Sequence, residues 1–374
     1  MKERLVLSHP KKGGTPMDKR RSLSRVIGRY FGSFRKSQRK TIAALAWGLL
    51  MARRLGLASI ARGMWDCTTV RHRIKRAWRF TSNRRIKARK ATFCLVQWLV
   101  ANGRGRPVVA LDWTDIGRGR VMLCAAVALA GRAVPLAWTV MGRSQFTRRR
   151  KSRNDAEEQM ILLLREAFGQ HPWVLVADRG FARAALFQRL KRWGIRFVIR
   201  ASASPWAEGK DFCGRLHSIP RRAGQVRLWR DLLYHKSAQV RVNVVVAHAE
   251  PAPEPWYLVT NLGRAACALK AYRRRAWIEE HFRDAKSQMG LDRLRLRRAA
   301  RIERLLILMA VVMAVAVLVA HRWVGGHRGQ EPQFTTHKRG RSLSLFRLGL
   351  ELVALQGLPP GLERLRLPLA LEAL

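Results

Sequence analysis

Three carboxylates sit where a folded chain can bring them to one point. Asp112 lies at the end of the apolar run from Pro107 to Trp113 (PVVALDW), and Asp178 directly follows WVLVA at Trp173 to Ala177. Glu279 lies in the helical stretch from Leu269 to Gln288. Short apolar runs of this kind read as buried strands. An acid at the end of such a strand is not a packing residue: the strand holds it rigid and the sheet edge exposes it. Carboxylates are hard oxygen donors, so two of them on neighbouring strands can converge on a divalent cation. A cation held there can activate water or stabilise a leaving oxygen. Each Asp alone also has a plainer reading, as a turn or cap residue.

The surroundings of Glu279 narrow the chemistry. At about 100° per residue along one helix, Tyr272, Arg275, Glu279, Phe282 and Lys286 fall within about 80° of a single face. Glu280 and Asp284 point elsewhere. A solvated face more often mixes small, interchangeable polar groups. An ordinary i,i+4 salt bridge between Arg275 and Glu279 is the competing reading.

The elements that must position these groups follow from pattern. Strands are expected at 107–113, 121–129, 134–140, 173–177 and 195–200, with helices at 154–168 and 182–193. Asn154 is a plausible N-cap with acids in the first turn behind it. The result is a mixed α/β core with helices covering a sheet. Residues 202–262 break the alternation and read as a β-rich insertion, with strands at 239–247 and 256–260. Helix resumes over 264–290. Leu305 to Ala320 is then sixteen apolar residues without a break. At ~1.5 Å per residue it reaches about 24 Å, short of the ~30 Å of hydrocarbon in a bilayer. It is expected as a core helix with neighbours on all sides.

The chain has 374 residues, 74 Lys+Arg against 24 Asp+Glu, a net charge of +50 and 48% hydrophobic residues. That apolar content excludes a disordered basic tail, and the charge selects polyanions, nucleic acid first. Residues 1–100 hold 26 Lys/Arg and three acids. Their pattern is helical, and VRHRIKRAWRF at 70–80 interleaves cations with aromatic anchors. Arg76 and Arg79 are candidate DNA contacts there. So are Arg148, Arg149, Arg150 and Lys151, in the basic run after the third strand; a solvated charge run is the alternative for both. The five cysteines form no CxxC pair, which argues against structural zinc and a disulfide framework. The first residues lack the apolar core of a signal peptide. A reducing, cytoplasmic, nucleoid-associated setting is expected. His217, His235, His248 and His281 show no ligand spacing.

The order Tyr272-(2)-Arg275-(3)-Glu279-(6)-Lys286 resembles the YREK signature of the insertion-sequence-4 family of bacterial DDE transposases. DWT at 112–114, ADRGF at 177–181, the order of the three acids, the apolar helix and the basic helical N-terminus resemble that family too. Gly180 departs from several relatives, which carry Glu there. The resemblance implies an RNase H-like mixed-sheet catalytic core, with a β-rich insertion, behind a helical basic DNA-binding domain. It implies that Asp112, Asp178 and Glu279 bind two Mg²⁺ ions, with Mn²⁺ as a substitute. It implies that Tyr272, Arg275 and Lys286 hold phosphates at the cleaved end. Trp256 occupies the place of a tryptophan that stacks on a flipped base; a half-buried strand aromatic is the alternative.

The expected organisation is a flexible basic arm (1–25), a helical DNA-binding domain (26–104) and a core in two parts (105–201 and 263–324). The insertion at 202–262 separates the two parts, and a basic, helical tail (325–374) follows. The expected partners are terminal inverted repeats, target DNA and a second copy of the chain in a synaptic complex. No membrane and no small-molecule cofactor is expected. The reading is an enzyme that cleaves transposon ends and joins the 3′-hydroxyls to target DNA. A transposase-derived regulator without activity is the alternative.

Overall fold

The computed structural model describes residues 16–100, 103, 105–147, 152–220, 222, 224–248, 254–327 and 343–365. Five helices come first: α1 (Pro16–Tyr30), α2 (Lys36–Ala52), α3 (Leu57–Gly63), α4 (Val70–Ser82) and α5 (Ala88–Leu99). Residues 16–25 were expected in a flexible arm and are instead the start of α1. The reason is an apolar stripe at helical spacing: Leu23, Val26, Ile27 and Tyr30 are all buried. Residues 1–15 lie outside the described residues. The helices α2 and α3 meet at 95°. A Cβ at Gly48 would lie 2.3 Å from the Ile60 carbonyl oxygen, and one at Gly63 2.4 Å from that of Gly48. Only glycine permits this backbone contact.

One sheet organises the rest. Its strands are β1 (Val108–Asp115), β2 (Arg120–Leu129), β3 (Arg132–Gly142), β4 (Val174–Ala177), β5 (Arg196–Ala201), β6 (Trp206–Gly209), β7 (Phe212–Arg215), β8 (Val226–Tyr234), β9 (Val240–Ala247) and β10 (Trp256–Thr260). Their order is β3-β2-β1-β4-β5-β10-β9-β8-β6-β7. β4 lies parallel to both β1 and β5, and the other pairings are antiparallel. The β-rich stretch at 202–262 therefore does not stand apart. Its last strand, β10, pairs with β5 and carries the sheet on to ten strands.

The remaining helices are α6 (Ser144–Thr147), α7 (Arg153–Phe168), α8 (Ala184–Arg192), α9 (Ala265–Arg273), α10 (Ala276–Ser287), α11 (Ala299–Gly326) and α12 (Leu345–Gln356). Three differ from expectation. The N-cap of α7 is Ser152, whose hydroxyl accepts the Asn154 amide at 3.0 Å; Asn154 is already inside the helix. The stretch 269–288 is not one helix: it breaks between α9 and α10. There the Arg274 and Arg275 amides bond back three residues, to Ala271 (3.1 Å) and Tyr272 (2.8 Å). This tight turn brings residues three apart into line.

The third difference is α11, which runs 28 residues, well past the sixteen-residue apolar run. By length and composition it could cross a membrane, but 94% of its most apolar window is buried inside the protein. Two arginines in its first turns bond inside the protein. Arg304 donates to the carbonyls of Ile86 (3.0 Å) and Thr81 (2.9 Å), and Arg301 to the Thr81 hydroxyl (3.1 Å). The helix packs against β3, α2, α4, α5 and α12. The N-terminal helices and the sheet thus share one apolar centre.

Candidate active site

Three elements deliver the three acids. β1 carries Asp112, β4 ends one residue before Asp178, and the first turn of α10 carries Glu279. Because β1 and β4 are parallel neighbours, with Leu111 opposite Ala177, the two aspartates leave the sheet side by side. The α9–α10 turn then brings Arg275 between them. Its Nη2 lies 2.9 Å from Asp112 Oδ2 and 3.5 Å from Asp178 Oδ2. Its Nη1 meets Glu279 Oε1. The Tyr272 hydroxyl donates to Asp178 Oδ1 at 3.3 Å, and the Trp113 amide to Asp112 Oδ1 at 2.8 Å. Trp256, at the start of β10, packs edge-on against Tyr272 with ring centroids 5.1 Å apart.

Asp112, Asp178, Glu279, Tyr272, Arg275 and Trp256 therefore form one cluster. Lys286 sits farther along α10, near Asp115 at the end of β1. The Gly117 amide, then Arg143 and more weakly Lys286, hold the Asp115 carboxyl below its ordinary range despite some burial. Arg76 and Arg79 lie on α4. Arg76 is tied to Asp66 at 3.1 Å, while Arg79 is exposed. Arg148, Arg149, Arg150 and Lys151 lie outside the described residues.

Exposure grades across the cluster. The Arg275 side chain is 15% exposed, Asp112 19%, Asp178 31% and Glu279 54%. The site is more buried on the sheet side than at the helix. Burial pushes the Asp112 carboxyl up; Arg275 opposes this, and Asp178 and Glu279 add to it. Burial also works against the charge of Arg275, but the three carboxylates outweigh it and raise its pKa. Burial, reinforced by Asp178, pushes the Tyr272 phenol far up, so its hydroxyl stays a donor.

The support beneath these groups was not anticipated. Glu157 on α7 is 3% exposed. It accepts the Trp113 indole N–H at 2.8 Å and the Arg183 guanidinium at 2.6 Å. It thereby fixes the residue after Asp112. The signal was present in the sequence, because Glu157 stands within the apolar stripe of Ala156, Met160, Ile161 and Leu164. Behind Asp112, Cys124 is its cross-strand partner, and the Cys124 sulfur lies 3.9 Å from His281 Nε2. Burial pushes the His281 imidazole down to about 3 and the Cys124 thiol up, so both are neutral. Glu280 turns away, to Arg132 (3.3 Å) and Arg283 (2.8 Å).

Three carboxylates around one guanidinium leave the cluster two charges negative. Its donors are all oxygen, the set that hard divalent cations take. Donor chemistry and charge thus fit such an ion. As the side chains stand, no group of three or more ligating residues among the described residues is arranged around an ion position. Arg275 takes the place between the carboxylates.

Residues 139–315 match a family model described as the transposase DDE domain. The matched span includes Asp178, Trp256, Tyr272, Arg275, Glu279 and Lys286, and leaves Asp112 outside it. The match supports a transposase of the DDE class, a class that generally uses divalent metals and acts on DNA. Comparison with the curated proteins finds no match.

Proposed function

We propose that this chain is a DNA transposase of the insertion-sequence-4 kind, working by excision and rejoining. It binds the terminal inverted repeats of its own element, cleaves the ends by hydrolysis and joins the 3′-hydroxyls to target DNA. The observation that carries this reading is the convergence of Asp112, Asp178 and Glu279, from three distant parts of the chain, around Arg275. The strand order β3-β2-β1-β4-β5, with two parallel pairings at its centre, supports an RNase H-like core.

Asp112, Asp178 and Glu279 would hold Mg²⁺, or Mn²⁺ in its place. When bound, the metal supplies an activated oxygen nucleophile and stabilises the leaving oxygen. The chain's own groups do the rest. Tyr272 fixes the Asp178 carboxylate by donating to one oxygen, and the Trp113 amide does the same for Asp112. Arg275 and Lys286 offer a planar fork and a point charge for the phosphates of the cleaved end. The part-exposed Trp256 ring, braced by Tyr272, suits stacking on an unpaired base, worth about 1–3 kcal/mol.

DNA docking falls to the N-terminal helices. On α4 the exposed residues Arg71, Lys75, Trp78 and Arg79 form one stripe without an acid, as a helix entering a groove requires. Arg79, free of Asp66, is a better contact than Arg76. Two ends must be cut and joined together, so a homodimer in a synaptic complex is part of the proposal. A cytoplasmic, nucleoid-associated location goes with it.

The test is cleavage of DNA carrying the stretches that flank the reading frame, with Mg²⁺ or chelator. Cuts at both ends that need both metal and Glu279 support the proposal. Tight binding to those ends with no cutting in any metal favours the regulator reading instead.

A further inference from the structure

Arg275 engages the same three carboxylates that would hold the proposed cation. Its Nη2 bridges Asp112 at 2.9 Å and Asp178 at 3.5 Å, its Nη1 meets Glu279, and its buried Nε has no hydrogen-bond partner among the described residues. Every contact named for this guanidinium is thus with one of the three carboxylates. Without a cation between them the three acids would repel one another, and the half-exposed Glu279 would swing into solvent. A divalent ion competes for the same oxygens and carries twice the charge. Once displaced, the guanidinium remains tethered one turn from Glu279, within reach of a phosphate, its best alternative partner.

We propose that Arg275 is a resident counter-ion. It keeps the three carboxylates converged in the absence of metal, lowers their affinity for a divalent ion, and gives them up when a DNA phosphate draws it away. Metal binding and DNA binding are then coupled through one side chain, each favouring the other. The inference rests on the metal-dependent reading above, and its direction is opposite to that of a residue that merely braces the site. A brace, when removed, weakens metal binding; a competitor, when removed, strengthens it.

The experiment is a Mn²⁺ titration of the full-length, metal-free protein, followed by the paramagnetic resonance of free Mn²⁺. Arg275→Gln is expected to bind Mn²⁺ about tenfold more tightly than wild type, a typical coupling between sites. A short DNA duplex should tighten Mn²⁺ binding by wild type and leave Arg275→Gln unchanged. Equal or weaker Mn²⁺ binding by Arg275→Gln overturns the inference. If that variant does not fold in chelator, Arg275→Lys carries the test. A point charge meets fewer of the three carboxylates than a fork does, so its Mn²⁺ affinity should rise severalfold, and an unchanged value overturns the inference. Asp112→Asn separates the two levels: if wild-type Mn²⁺ binding survives that change, the metal reading of the three acids fails and the inference falls with it.

Discussion

The Glu279 carboxylate meets Arg275 and stands half in solvent, while Glu280, one residue on, is drawn to Arg132 and Arg283. Adjacent residues of the same type therefore differ in what their loss removes. Glu279→Gln is expected to abolish metal-dependent cleavage while leaving DNA binding near wild type, read by gel shift beside the cleavage assay. Glu280→Gln should stay within a few-fold of wild type in both, because it loses only partly exposed ion pairs. A dead Glu280 variant beside an active Glu279 variant would reverse the assignment of helix faces. Asp112 offers a stability test. Its raised pKa means that the folded protein binds this proton more readily than the unfolded chain. Its contribution therefore favours folding as pH falls through the window above the ordinary 3.8, and opposes folding at neutral pH. In chelator at neutral pH, Asp112→Asn should melt at or above the wild-type temperature, as calorimetry would record, although it removes a carboxylate of the proposed active site.

At the scale of elements, α11 and α12 approach each other backbone to backbone. A Cβ at Gly349 would lie 1.9 Å from the Ala316 carbonyl oxygen, so α12 rests directly on the α11 backbone. Gly349→Ala must push the helices apart. An expected loss of about 1–3 kcal/mol should appear as a lower Tm with cleavage retained in the folded fraction. Much at this scale was legible in the sequence. The runs around Asp112 and Asp178 became strands because an unbroken apolar stretch has few other fates. The break between Tyr272 and Glu279 was not legible. No Gly or Pro marks it, and the turn carries Arg275, whose side chain ends among the three acids. Even so, Tyr272, Arg275 and Glu279 still reach the two aspartates across the break, because bonds to the third residue bring Tyr272 and Arg275 into line, whereas Lys286 lies farther along α10. The length of α11 was hidden by Arg301, Arg304 and Arg322, which look like helix ends until their partners are known.

The whole molecule carries +50, yet its candidate active site is locally negative. On the proposed reading, DNA would be held by the wider surface and processed at a point that a phosphate enters only with a compensating cation. Binding should fall steeply with salt: with six or more phosphate contacts, affinity should drop on the order of a thousandfold between roughly 50 and 200 mM. Arg79→Ala should reduce the slope of that plot by about one, whereas Arg76→Ala, already paired with Asp66, should change it less. Filter binding across a salt series reads both. The continuity of the sheet could not be seen in the sequence, since β5 and β10 pair across more than fifty residues and nothing local in either names the other.

The central place of α11 has a consequence for the order in which the chain can fold. This helix is translated after residue 298, yet α2, α4, α5 and β3 all pack on it. The N-terminal helices leave the ribosome first and must wait, with apolar faces uncovered, for the segment that covers them. Closure over such sequence distances is slow, and it leaves intermediates prone to association. Synthesis itself thus sets a delay between the appearance of the cationic helices and the completion of the fold. A chain truncated before Ala299 should be recovered aggregated or bound to chaperone, not as a separately folded DNA-binding fragment.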